Sequence, residues 1–133
     1  MPAETYIAKT IENARDAIAC HVRWKIALLL AARMHEPLSE RAIRSIEHPE
    51  ECSIGKWLLS EHTLHLCGRP EYRAVRDQHT AFHGQMLGIA KLIHGGEYER
   101  AEELLNAADP FQSASIALAN AIMALDRVPG VKR

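Results

Sequence analysis

An all-α fold, a four-helix bundle with additional short helices, is what three features of this sequence predict. Helix formers such as Ala, Leu, Glu and Arg dominate, while only 7 Gly and 6 Pro occur in 133 residues. Apolar residues recur at steps of three and four along most of the chain, the period of a helix that buries one face. The periodic segments are separated by short connections marked by Pro or Gly, as neighbouring helices of a bundle are. The length suits a single domain over residues 1–133, with a core over about 10–127 and a short C-terminal tail.

The first helix is expected over residues 4–34, a stretch free of Pro and Gly. Its stripe is Ile7, Ile11, Ala14, Ile18, His21, Lys25, Leu28 and Ala32, so His21 lies within the apolar face. Val22, Ile26, Leu29 and Leu30 widen that surface in the second half, which implies more than one neighbour and motivates a homodimer. Pro37 ends the helix by disfavouring the α region at the residue before it. Residues 38–46 read as a short helix. At His48-Pro49-Glu50-Glu51-Cys52, the Pro and two acids fit the first turn of a helix that continues through Ser53-Ile54-Gly55-Lys56-Trp57-Leu58-Leu59. Cys52 is then near a helix N-terminus, where the dipole favours a thiolate.

Residues 61–69 form a connection punctuated by Gly68 and Pro70. Tyr72, Val75, His79, Phe82, His83, Met86, Ala90 and Ile93 then keep helical spacing up to a stop at Gly95-Gly96. Residues 97–107 make a further helix with Tyr98, Ala101, Leu104 and Leu105 inward. Asp109-Pro110 reads as an N-cap followed by Pro at the first helical position, opening a last helix with the stripe Phe111, Ala114, Leu118, Ile122 and Leu125. Residues 128–133 are the tail.

Charge and composition narrow the function. A formal net charge of −1 argues against a general nucleic-acid or anionic-membrane binder, both of which need a basic face. The first residues, Met1-Pro2-Ala3-Glu4-Thr5-Tyr6, have neither the basic start nor the apolar run of a signal peptide. The longest apolar run, residues 26–32, falls far short of the roughly 20 residues that cross a bilayer. A cytoplasmic protein without membrane insertion is therefore expected. Its cysteines, Cys20, Cys52 and Cys67, are odd in number, and a reducing compartment favours free or metal-bound thiols over a disulfide framework.

Eight histidines are many for such a chain, and three of them fall on inward stripes. His79 and His83, four apart, share a helix face with Cβ atoms about 5 to 6 Å apart, so both rings can turn to one ion. A buried imidazole without a partner loses the hydrogen bonds it had in water, and a shared ion accounts for His21, His79 and His83 together with Cys52. An imidazole and thiolate set suits the borderline softness of zinc. The proposed ligands of a Zn2+ ion are thus His21, Cys52, His79 and His83. His62, His65 and Cys67 form a competing cluster, weakened by a loop setting and by the lack of a nearby fourth ligand. Cys20 points about 100° away from His21 on the same helix and reads as a core thiol. His35 and His48 read as loop or cap residues.

Three blocks carry a family resemblance: His21-Val22-Arg23-Trp24-Lys25, Cys52-Ser53-Ile54-Gly55-Lys56-Trp57-Leu58 and His79-Thr80-Ala81-Phe82-His83. Together they resemble the HxxW(K), CxLGxW-type and HxxFH blocks of the chemoreceptor zinc-binding (CZB) domain. Ile54 stands where that family usually has Leu or Phe, a conservative departure. The resemblance implies a helical fold and a single zinc held by three histidines and one cysteine, at the same four positions. It also implies bacterial signal transduction, with a chemoreceptor or a diguanylate cyclase as partner. Neither kind of domain is recognisable in these 133 residues.

Four protein ligands would close the zinc to water and substrate, and the pentad lacks the Glu of HExxH, so an enzyme is not expected. Two readings remain. In the first, zinc occupancy or oxidation of Cys52, the one soft ligand, alters helix packing and a partner's activity in chemotaxis or cyclic-di-GMP synthesis. In the second, the zinc is structural and the bundle serves as a dimerisation or docking module.

Overall fold

The structure, a computed structural model, describes residues 10–130 and contains among them six α-helices and no strand. These are α1 (Ala14–Arg33), α2 (Glu40–Glu47), α3 (Ser53–Leu58), α4 (Pro70–His94), α5 (Tyr98–Asn106) and α6 (Ser113–Asp126). The expected all-α bundle is what forms. α4 lies along α6, α5 packs on both α1 and α4, and α1 closes against α6; α2 and α3 are the short additions, both packed on α4. The middle of the bundle is filled by Leu28, Val75, Phe82, Met86, Phe111, Leu118, Ile122 and Leu125. None of the described helices is long and apolar enough to cross a membrane.

The first helix departs from the sequence reading. It begins at Ala14, because Asn13 is extended and its side chain accepts the backbone N–H of Asp16, satisfying a donor that the helix start leaves free. Thr10 to Glu12 are not helical, and Ile7 lies outside the described residues. At the other end His35 takes a left-handed φ of 52°, and its ring stacks on Tyr98 at 4.6 Å. Of the second apolar set, Leu29 is half-buried, whereas Val22, Ile26 and Leu30 face out. Among the described residues no second helix covers them.

The helix expected to run from Pro49 is interrupted. Pro49–Glu51 form a single tight turn, Cys52 is extended with φ −77° and ψ 161°, and α3 starts only at Ser53. Six residues are too few to stand as a helix alone. The last carbonyls of α3 are held from outside. Thr63 donates its hydroxyl to Trp57 and Leu58, and the Tyr72 hydroxyl, from α4, donates to Leu58.

Pro70 is not only punctuation; it is the first residue of α4, a position that needs no N–H. Every residue of the stripe read from the sequence, Tyr72 through Ile93, is buried. Asp109 is extended, as an N-cap would be, and accepts from the Ser113 hydroxyl, but a wide turn over Ala108–Gln112 precedes the regular helix α6. Ala114 is half-buried and its neighbour Ser115 is the buried one. The tail begins packed: Val128 is buried, and the Gly130 carbonyl accepts from His65 Nε2. Residues 131–133 lie outside the description.

Candidate metal centre

Three elements deliver the site. α4 presents His79 and His83 from successive turns of its inward face, with ring centroids 4.5 Å apart and planes at 81°. α3 brings Cys52 as its N-cap, and the Sγ atom lies 3.1 Å from His79 Nε2. α2 contributes a backbone atom: the Ile46 carbonyl, in its last turn, accepts from His83 Nδ1 at 3.0 Å. Helix carbonyls at that end have no partner within the helix. The bond fixes His83 as the tautomer whose Nε2 lone pair is free, which is how a ligating histidine is normally oriented.

The position of Cys52 depends on Gly55. A Cβ placed on Gly55 would come 2.1 Å from the Pro49 carbonyl oxygen and 2.9 Å from Glu50 Cα. Only glycine lets the Pro49–Glu51 turn fold down on the start of α3. That fold-back carries the extended Cys52 to α4. This is a structural reason for the Cys-x-x-Gly spacing.

Among the described residues, Cys52, His79 and His83 form the group of His, Cys, Asp or Glu side chains able to share an ion, with ligand atoms all within 4.8 Å of one another. All three are buried. Donor atoms around a tetrahedral zinc are about 3.3 to 3.6 Å apart, from zinc–nitrogen and zinc–sulfur bonds of about 2.0 and 2.3 Å. The group therefore fits an ion after shifts of a few tenths of an ångström up to about 1 Å, within what side-chain rotation supplies.

His21 is placed differently. It is buried on α1 and packs edge-on against Phe82, ring centroids 5.2 Å apart, so it faces the same turn of α4 as the ligand pair. Its Nδ1 donates to the Ile18 carbonyl at 3.2 Å, and its Nε2 accepts from the Ser115 hydroxyl of α6 at 2.7 Å. It is not in the ligand group. Ser115 has no metal-ligating chemistry to single it out, yet its place was readable: with Phe111, Leu118 and Ile122 it keeps the steps of four, three and four of an inward stripe.

Burial sets the protonation of the site. It pushes His79 down to about 3, aided by His83 beside it. It also lowers His83 and His21, against the opposing effect of their bonds to backbone carbonyls. All three are neutral imidazoles at neutral pH, the ligating form. Cys52 goes the other way from the dipole expectation. Burial raises its thiol, and the N–H groups of Gly55 and Ile54 at the start of α3 offset only part of this. The helix terminus alone does not yield a thiolate; a cation must do so.

The competing cluster does not assemble. His65 is exposed and bound to Gly130, Cys67 is exposed, and His62 is half-buried on the same loop. Cys20 is buried, as a core thiol should be, and is pushed up to about 12 by burial and then by Cys52 nearby. His48 caps the C-terminal end of α2, and His35 follows Met34, the C-cap of α1. No family model, no curated protein and no solved structure matches this chain.

Proposed function

We propose that this chain is a zinc-binding regulatory module of bacterial signal transduction. One Zn2+ is held by Cys52, His79 and His83, with His21 as the fourth ligand. The observation that carries the reading is the buried Cys52/His79/His83 group, joined across α3 and α4 and oriented from α2. A thiol with two neutral imidazoles and no carboxylate is a donor set for zinc rather than for magnesium, calcium or manganese. Bound zinc would supply a fixed charge and four bonds that tie α1, α3 and α4 together. The module has no catalytic role, because a fourth protein ligand leaves no position for substrate. Resemblance of the three sequence blocks to the CZB domain supports signalling as the context, with a chemoreceptor or diguanylate cyclase as the regulated partner and Cys52 as the redox-sensitive ligand.

A structural zinc is the second reading, favoured by the depth of the group and by its ties to three helices. Native mass spectrometry of the purified chain should show one zinc per chain, lost in Cys52→Ala and in His79→Ala. A chain that retains zinc in both variants would overturn the assignment. The two readings separate on chelation. A regulatory zinc leaves a folded protein with changed partner output, whereas a structural zinc leaves an unfolded chain.

A further inference from the structure

We propose that Ser115 is a displaceable partner of His21, and that an ion at the Cys52/His79/His83 group takes the His21 imidazole from α6, so that metal occupancy is reported as the loss of an α1–α6 contact. The inference rests on the zinc reading above with His21 as fourth ligand.

The argument starts from the two nitrogens of His21. Nδ1 is occupied by the Ile18 carbonyl one turn earlier on α1, which makes it the N–H side of a neutral ring. Nε2 therefore has one lone pair, and the Ser115 hydroxyl uses it at 2.7 Å. A lone pair cannot serve a hydroxyl proton and a metal ion together. Both side chains are buried, so bulk water is not there to replace whichever partner is lost. The competition is direct.

The exchange is local on both sides. His21 already lies edge-on to Phe82, between His79 and His83 in sequence, so the ring turns toward the ligand group without leaving the face of α4. Once released, the Ser115 hydroxyl sits in mid-helix and can donate to the carbonyl four residues back, Phe111, as serines in helices do. Neither the His21 ring nor the Ser115 hydroxyl is stranded in either state. What changes is which helix holds α1: α6 through Ser115, or α3 and α4 through the ion.

Zinc affinity measured by competition with a chromogenic chelator tests this in the wild type, Ser115→Ala, His21→Leu and the double variant. Removing the hydroxyl takes away a competitor present only without metal, so Ser115→Ala should bind zinc about fivefold more tightly, the equivalent of one hydrogen bond. His21→Leu should bind it more than tenfold more weakly, and Ser115→Ala should have no effect in that background. An unchanged or weakened affinity in Ser115→Ala, beside a weakened His21→Leu, overturns the proposal and leaves the four-ligand zinc standing. Wild-type affinity in both single variants overturns it and removes His21 from the ligand set. A wild-type chain that binds no zinc overturns the zinc reading itself, and this inference with it. Imidazole nitrogen NMR on the unaltered protein gives a readout independent of any variant. One equivalent of zinc should move the His21 Nε2 resonance to a metal-bound position, and a resonance that stays put refutes the exchange.

Discussion

With its Nδ1 committed to the Ile46 carbonyl, His83 offers a metal only Nε2, and burial keeps the ring neutral. Burial likewise keeps His79 neutral, pushed down to about 3, so near neutral pH no histidine proton has to leave when an ion arrives. Cys52 is the exception, because burial holds its thiol protonated above the ordinary value of 9.0. Zinc binding is therefore expected to release one proton per ion, and apparent affinity to rise about tenfold per pH unit through the neutral range. Calorimetry in buffers of different ionisation enthalpy reads that number; release of two or more would contradict the protonation states described. At this scale the side-chain chemistry was legible in the sequence, since histidines on an apolar stripe are anomalous wherever the stripe leads. The Ile46 carbonyl was not, because every residue has one and only the fold decides which carbonyl is left at a helix end. Ser115 was overlooked for a related reason: a serine on an inward stripe is a mild anomaly until a partner is known.

Among the elements, α3 depends most on a single residue. At Gly55 an added Cβ meets backbone, not a side chain that can swing aside. Gly55→Ala is expected to lift the Pro49–Glu51 turn and shift Cys52, lowering stability by about 1 to 3 kcal/mol as overpacking does and weakening zinc binding. Gly84→Ala and Gly88→Ala make the opposite case. Both glycines are exposed within α4, nothing lies within 4 Å of an added Cβ, and each change should raise stability by about 0.5 to 1 kcal/mol. Chemical denaturation of the three variants checks the contrast, and equal effects at Gly55 and Gly84 would show that the close approach carries no cost. The elements themselves were readable where periodicity ran long, as in α4. They were misread where local side-chain chemistry intervened: Asn13 caps α1 well inside an apolar-periodic stretch, and Cys52 turns extended in a segment whose Pro and acids look like one continuous helix start.

For the whole molecule, the outward stripe of α1 and the inward histidines lead to different expectations. Val22, Ile26, Leu30 and Met34, four residues apart, are all exposed, and an apolar row of that kind on a helix fits a partner helix. The homodimer inferred from the sequence would use it, so Ile26→Glu is expected to shift sedimentation from dimer to monomer; an unaltered wild-type monomer at micromolar concentration would refute the dimer. The histidines govern acid stability. Each of His21, His79 and His83 is harder to protonate folded than unfolded, because burial lowers it below 6.5. Below about pH 6.5 the unfolded chain takes up protons that the folded chain refuses, so stability falls with pH, by up to about 1.4 kcal/mol per unit for each histidine. For His79 the loss continues down to about 3, its folded value. Over that span His79 alone removes about 5 kcal/mol, against a typical total of about 5 to 15, and His21 and His83 act in the same direction. The metal-free chain should therefore become progressively less stable below about pH 6.5 and unfold on acidification, seen as loss of helical circular dichroism with chelator present. Zinc should move that transition to lower pH, because an ion that binds only the folded form adds to its stability. His79→Gln, which removes one buried imidazole, should make the chelated protein's loss of stability with falling pH less steep. A chelated wild-type chain whose denaturation midpoint does not fall between about pH 6.5 and pH 3 would mean that the three rings accept protons where they sit, and that burial does not hold them neutral.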